Sequence, residues 1–283
     1  MTFPARRRRP DLILGALALG LALAGCETSG RGGVAEVDND QSGASSANIS
    51  SLTDVIRRNP NDPGAYVTRG AANARIGRYG DAISDFSAAI KLDPTLVAAY
   101  TNRGLAYRQT GRNDSALADF GQAIQINPRH APAYLARANL LRTQGNLAEA
   151  LSDLDQAIRL YPEGAQAFHA RGLIYQRQGQ HPQAITDFDN AIDRDAFAAA
   201  PYQARGQSYL ATGKFDAAIE DFNAALNVDN RNSDAWAGLG VAYEQKGNKT
   251  KAAESYTRAL TADNTNAAAR AGMQRIGNGA SLF

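Results

Sequence analysis

The chain has 283 residues, with 30 Lys+Arg against 28 Asp+Glu, three His, one Cys, 44% hydrophobic residues and a formal net charge of +2. One cysteine forms no intramolecular disulfide, and with scattered His130, His169 and His181 it makes no ligand cluster, so a stapled scaffold and a Cys-rich metal site are excluded. Two surplus charges are no nucleic-acid footprint, and the hydrophobic content is too high for a wholly disordered chain.

Arg6, Arg7, Arg8 and Arg9 precede an apolar run from Leu12 to Ala24 that holds no charged side chain. These are the basic and apolar regions of a signal peptide. As a helix the run spans roughly 20 Å, short of a hydrocarbon core of about 30 Å. It ends in Leu23-Ala24-Gly25-Cys26, which resembles the bacterial lipobox. That resemblance implies removal of residues 1–25, a diacylglyceryl group on the Cys26 sulfur and an acylated new amino terminus. Small residues admit the peptidase and a thiol is a good nucleophile toward a lipid donor. An ordinary signal peptide and a twin-arginine signal at Arg8-Arg9 are the rival readings. Glu27, where inner-membrane lipoproteins of Gram-negative bacteria carry aspartate, implies outer-membrane attachment facing the periplasm. Three acyl chains would anchor stably, each buried CH₂ contributing about 0.8 kcal/mol.

Residues 26–48 then read as a flexible linker, rich in Gly, Ser, Asp and Asn, with a root-mean-square reach of roughly 25 Å. Asp38, Asp40, Ser42 and Gly43 imitate the front of an EF-hand loop, but Ile49 stands at the twelfth position, so no calcium site is expected.

From Pro63 to Asn266 the chain repeats every 34 residues, six times without a gap, the signature of a solenoid. The first large residue of each unit is Tyr66, Tyr100, Tyr134, Phe168, Tyr202 and Trp236; four residues on stand Gly70, Gly104, Ala138, Gly172, Gly206 and Gly240. A turn glycine follows at Gly77, Gly111, Gly145, Gly179, Gly213 and Gly247, then alanine at Ala82, Ala116, Ala150, Ala184, Ala218 and Ala252. Phe86, Phe120, Leu154, Phe188, Phe222 and Tyr256 come next, and units one to three close with Pro94, Pro128 and Pro162 where the others have Ala196, Asn230 and Asn264. Apolar positions three and four apart on either side of the turn glycine predict two amphipathic helices per unit. The pattern resembles the tetratricopeptide repeat (TPR) over Pro63 to Asn266. It implies an all-α, right-handed solenoid of six tandem helix-turn-helix repeats, stabilised by stacking. At the ends, residues 49–62 read as an N-terminal capping half-repeat with a helix over Ile49 to Asn59. Ala267 to Ile276 reads as a capping helix presenting Arg270, Gln274 and Arg275 to solvent, and 277–283 as a tail.

The family often has leucine before the first-helix glycine, yet units one to five carry Arg69, Arg103, Arg137, Arg171 and Arg205 there. The same units carry Asp85, Asp119, Asp153, Asp187 and Asp221 before the second-helix aromatic, whereas unit six has Leu239 and Ser255. Two positions that change together predict structural Arg–Asp pairs; an arginine ladder gripping an acidic ligand is the alternative.

No G-x-S-x-G, H-E-x-x-H or Walker motif is present, and Gly238-Leu239-Gly240 lies inside a repeat helix. The chain therefore reads as a non-enzyme with no cofactor and no metal. His130 and His181 fall near turns and are expected to be solvated. The TPR resemblance places a concave groove along the first helices, lined here by Asn102, Arg108, Gln109, Leu135, Asn139, Arg142, His169, Leu173, Gln176, Arg177, Gln203, Gln207 and Glu244. Amides satisfy the backbone of an extended peptide and arginines fork onto carboxylates, which suits a protein segment of some acidic character; the bland alternative is a face that only keeps the solenoid soluble. Val67 and Ala71 stand where chaperone-tail binders carry lysine and asparagine. Lipobox and TPR array together resemble NlpI-type lipoproteins. That implies a membrane-anchored periplasmic scaffold for peptidoglycan hydrolases or a processing protease, and a homodimer through the N-terminal helix. An assembly factor for outer-membrane β-barrels or pilus secretins is the alternative. Removing residues 1–25 takes away four arginines and one aspartate, leaving a formal −1.

Overall fold

The computed structural model describes residues 44–278; the signal segment, Cys26, most of the linker and the last five residues lie outside them. Fourteen helices and no strand are present among the described residues. α1 (Ala44–Arg58) precedes six helix pairs: α2 (Pro63–Arg75) with α3 (Tyr79–Leu92), α4 (Val97–Gln109) with α5 (Asn113–Ile126), and α6 (Ala131–Gln144) with α7 (Leu147–Leu160). α8 (Ala165–Arg177) with α9 (His181–Arg194), α10 (Ala199–Ala211) with α11 (Phe215–Val228), and α12 (Ser233–Gln245) with α13 (Lys249–Ala262) complete them, and α14 (Ala267–Asn278) ends the array. Each first helix starts 34 residues after the last. α1 begins five residues ahead of the expected Ile49, because nothing after Gly43 breaks a helix and Ala44 and Ala47 favour one.

Each pair turns on a glycine with positive φ, between 73 and 86°. At Gly111 the backbone closes the first helix with two bonds, Gly111 N–H to Arg108 C=O at 3.1 Å and Arg112 N–H to Tyr107 C=O at 2.9 Å, a Schellman motif that only a residue tolerant of φ > 0 allows at low cost. The turns between units do not depend on proline. Asp195, Asp229 and Asp263 accept the N–H of Phe197, Arg231 and Thr265 at 3.1, 3.0 and 2.8 Å, the same Asx turn that Asp93 makes with Thr95 at 2.9 Å in a proline-bearing unit. One of these turns holds Phe197 out to solvent, 88% exposed.

The core is a row of alanines and rings. Ala82, Ala116, Ala150, Ala184, Ala218 and Ala252 are fully buried, and the second-helix aromatics pack into the first-helix glycine of their own unit. A Cβ at Gly104 would lie 2.6 Å from Phe120 Cε1, and one at Gly172 2.6 Å from Phe188 Cε1. Unit three fills the same space differently, with Ala138 against the smaller Leu154, both at 0% exposure.

The five arginines and aspartates meet across each pair. Arg103 Nε and Nη2 donate to the two carboxylate oxygens of Asp119, both at 2.8 Å; Arg137 reaches Asp153 at 2.7 and 2.8 Å and Arg171 reaches Asp187 at 2.8 and 2.7 Å. Arg69–Asp85 and Arg205–Asp221 repeat the fork. The aspartate side chains are 3–9% exposed and the arginines 18–28%. Each guanidinium also lies within 6 Å of the first aromatic of its unit, such as Arg103 and Tyr100 at 5.7 Å. The remaining nitrogen, Nη1, leaves the unit. It donates to Thr53 from Arg69 at 3.2 Å, to Ser87 from Arg103 at 3.0 Å, to Asp155 from Arg171 at 2.7 Å and to Asp189 from Arg205 at 2.5 Å. These acceptors sit on the preceding unit's second helix, or on α1 for the first. The equivalent position before Arg137 is Gly121, which offers no side chain. Hydrogen bonds to the carboxylates raise the arginine pKa values above their ordinary range, while burial pushes the Asp221 carboxyl up more than the Arg205 fork pulls it down. The fork therefore holds its geometry against a desolvation cost and is weak evidence of net stabilisation over an apolar pair. Unit six supplies that comparison within the same fold: Leu239 is 3% exposed, and Ser255 turns back onto its own helix, donating to the Lys251 carbonyl at 2.8 Å.

Candidate functional site

Each first helix touches the first helix of the next unit, whereas second helices of successive units make no such contact among the described residues. First helices are therefore closer together than second helices, and the array curves with the first helices on the inner side. The expected groove residues distribute along α4, α6, α8, α10 and α12. Gln109, Arg177 and Gln207 are exposed, and the other ten are half-buried.

Several of these side chains are already engaged. Leu135 and Leu173 lean on the apolar clusters of their units. Gln176 Nε2 crosses to α10, donating to the Ala204 carbonyl at 2.7 Å and to Ser208 Oγ at 2.9 Å, and Gln203 Oε1 accepts from Asn232 Nδ2 at 2.7 Å. These amides tie units together. His169 rests on the Phe188 ring at 5.9 Å, and burial with Arg142 nearby drives its pKa down to about 4, so it is neutral at physiological pH. Burial also lowers the pKa of Arg108; at Arg142 burial acts first and the like charge of Arg177 second. Arg142 Nε is a buried donor without a hydrogen-bond partner.

His130 and His181 are not solvated as their turn positions predict. Both are half-buried, with His130 Nε2 and His181 Nδ1 enclosed and unpartnered. His130 is the cap residue of α6 and His181 the first residue of α9. Among the described residues no group of three or more His, Cys, Asp or Glu is placed to hold a metal ion, and no helix is long and apolar enough to cross a membrane.

Glu244 belongs to the end cap rather than to an open groove. Arg275 of α14 forks onto it with Nε and Nη2, both at 2.8 Å, and Tyr256 Oη donates to Glu244 Oε2 at 2.5 Å. Arg275 is thus a clamp and not merely a solvating residue. The Arg275 bonds, helped by the Tyr256 hydroxyl, hold the Glu244 carboxyl below its ordinary 4.5. A depressed carboxylate contributes stability that is complete above the ordinary value and lost as pH falls through the folded value. Hydrogen exchange is therefore expected to show α14 amides losing protection as pH drops below 4.5. In Glu244→Gln their protection, corrected for intrinsic exchange, should be lower at neutral pH and flat over that range; an acid-insensitive α14 in the wild type would refute the clamp.

Tetratricopeptide repeat models match residues 101–165, 165–197 and 204–267, and a TPR repeat model matches 74–111. Together these ranges take in more than half of the chain. No curated protein matches it. Among solved structures, a chain of the APC/C hetero-tetramer Cut9–Hcn1 is similar with a TM-score of 0.73 at 18% identity, covering 82% of this chain and 46% of that one, so this protein spans less than half of that relative. PilW, described as a widely conserved type IV pilus biogenesis factor, gives 0.67 at 19% identity over 75% of this chain and 98% of its own. YrrB, described as a TPR protein with an unusual peptide-binding site, gives 0.56 at 22% identity over 67% and 97%. At these identities the likeness is one of fold.

Proposed function

The chain is a tetratricopeptide repeat protein, and from that premise we propose that it is a lipid-anchored adaptor holding another envelope protein against its inner, first-helix face. What supports the reading is the curvature: successive first helices in contact make one continuous inner surface across six units, long enough for an extended segment, and YrrB is a relative in fold described as binding peptide. The array has no metal-ligand cluster among the described residues and its sequence no catalytic motif, so binding is the activity this surface offers. The lipobox-like Leu23-Ala24-Gly25-Cys26 supports attachment through Cys26, and Glu27 an outer-membrane address facing the periplasm. The resemblance to NlpI-type lipoproteins makes peptidoglycan hydrolases or a processing protease the first partners to seek.

Two measurements test this. Cys26→Ala is expected to move the protein from the membrane fraction to the soluble one, and continued outer-membrane fractionation would contradict the anchor. Photo-crosslinkers at the exposed first-helix positions Gln109 and Gln207 should capture a partner from intact envelopes, while one at exposed Thr257 on α13 should not. Wall hydrolases or a protease in the product support the adaptor; barrel-assembly or secretin components assign the assembly-factor role instead; capture from Thr257 alone overturns the inner face as the binding surface.

A further inference from the structure

The first-helix arginines of units two to four fall into two populations. Those before the first-helix glycine are forked onto aspartates. Arg108, Arg142 and Arg177, in the last turns of α4, α6 and α8, have no such acid. Arg108 and Arg142 hold the same place in successive units, and Arg177 lies one residue further on in the third. The charged or titratable groups acting on Arg142 are Arg177 and His169, neither of them an acid.

A last-turn arginine often serves its own helix by capping carbonyls. That role is already filled here: the Arg108 and Arg142 carbonyls accept from Gly111 and Gly145 at 3.1 and 3.2 Å, and those of Tyr107 and Leu141 from Arg112 and Asn146, both at 2.9 Å. Arg142 Nε, meanwhile, is shut from water with no acceptor. A charged donor in that state is stabilised by an arriving anion more than a solvated one would be, because its desolvation has already occurred. We propose that Arg108, Arg142 and Arg177 form a row of anion subsites that takes side-chain carboxylates from an extended acidic segment of a partner protein, one from each of three successive units. This rests on the adaptor reading and names the chemistry of the segment bound.

Spacing selects side-chain carboxylates over a chain terminus. Packed neighbouring helices stand about 8–10 Å apart, so a single terminal carboxylate serves one unit and leaves two arginines unmet. An extended chain in the polyproline conformation turns once every three residues and rises about 3.1 Å per residue. Acidic residues three apart therefore share one face at roughly 9 Å, matching the step between units. His169 stays neutral beside Arg142, so the row keeps the same charge through the neutral range.

The test is anisotropy of a fluorescent nine-residue Pro/Ala peptide with glutamate at its first, fourth and seventh places and an amidated end, titrated with the full chain in detergent. Binding should weaken at least tenfold when the glutamates become glutamines, and about tenfold in Arg142→Gln, the scale of one charge-assisted hydrogen bond. Arg108→Gln and Arg177→Gln should each weaken it less, and added salt should weaken the wild type more than Arg142→Gln. Arg142→Gln should melt no lower than the wild type, since it removes a half-buried guanidinium that has no acid partner. Equal binding of the glutamine peptide, undiminished binding to Arg142→Gln, dependence on a free terminal carboxylate alone, or a clearly lowered melt in Arg142→Gln would each overturn the proposal. If Gln109 and Gln207 probes still capture the same partner from Arg142→Gln with the same yield, the adaptor stands and the acidic row falls.

Discussion

Asp153→Asn is expected to destabilise the array by about 3 kcal/mol, because it leaves the Arg137 guanidinium desolvated against a neutral amide. For a folded body of this size that lowers the melting temperature by roughly 6–12 °C, readable by circular dichroism. Asp153 is the informative rung. Arg171 and Arg205 keep a second carboxylate, Asp155 or Asp189, when their main partner is lost, so Asp187→Asn should cost less. Arg137 has only Gly121 in that direction. The double change Arg137→Leu with Asp153→Ser installs the sixth unit's arrangement and should recover most or all of the loss, since a well-packed apolar pair replaces a buried ion pair at little or no cost. An unchanged melt in Asp153→Asn would dispose of the pairing as a structural device.

The second large effect lies at the notch where glycine faces an aromatic ring. Gly104→Ala places a methyl 2.6 Å from Phe120 Cε1 and 2.8 Å from Cδ1. The ring is fully buried on a packed helix, so it has nowhere to go, and overpacking of this kind costs about 1–3 kcal/mol. The third unit shows the remedy. Adding Phe120→Leu to Gly104→Ala reproduces the Ala138–Leu154 pair and should leave the double variant more stable than the sum of its parts predicts. Strict additivity in that double-mutant cycle would show that the notch does not couple the two residues.

How much of this could be read beforehand varies with how regularly it recurs. The 34-residue period carried the helix pairs, the turn glycines and the solenoid, because each recurs at an invariant offset with one residue type. Arg137 and Asp153 were legible as a pair for a subtler reason: the sixth unit changes both places at once to Leu239 and Ser255. The outward reach of Nη1 was not. Its acceptors Thr53, Ser87, Asp155 and Asp189 sit two residues after the ladder aspartates or their equivalent in α1, but are too diverse chemically to stand out as one position. Arg275 lies in a capping helix outside the repeat consensus, so its grip on Glu244 had no sequence counterpart. The enclosure of His130 and His181 has no sequence counterpart, because a position next to a turn does not by itself fix burial. At the candidate site the repeat points to Arg108, Arg142 and Arg177 alike, but only the structure shows that Arg142 Nε is a buried donor with nothing to bind.

The outward-reaching guanidinium nitrogen also bears on how the array behaves as a chain of coupled elements. A solenoid's cooperativity is the product of its nearest-neighbour links, and each ladder arginine that reaches back adds an ionic or hydroxyl tie to the link behind it. Such ties join α1 to unit one, unit one to two, three to four, and four to five. Between units two and three Gly121 leaves the tie unmade, and between five and six Leu239 replaces the arginine altogether. The array is thus divided into blocks of unequal coupling, with a seam behind Arg137. That seam runs between Arg108 and Arg142, so any segment bridging those two arginines would splice together blocks that no ladder arginine ties to each other.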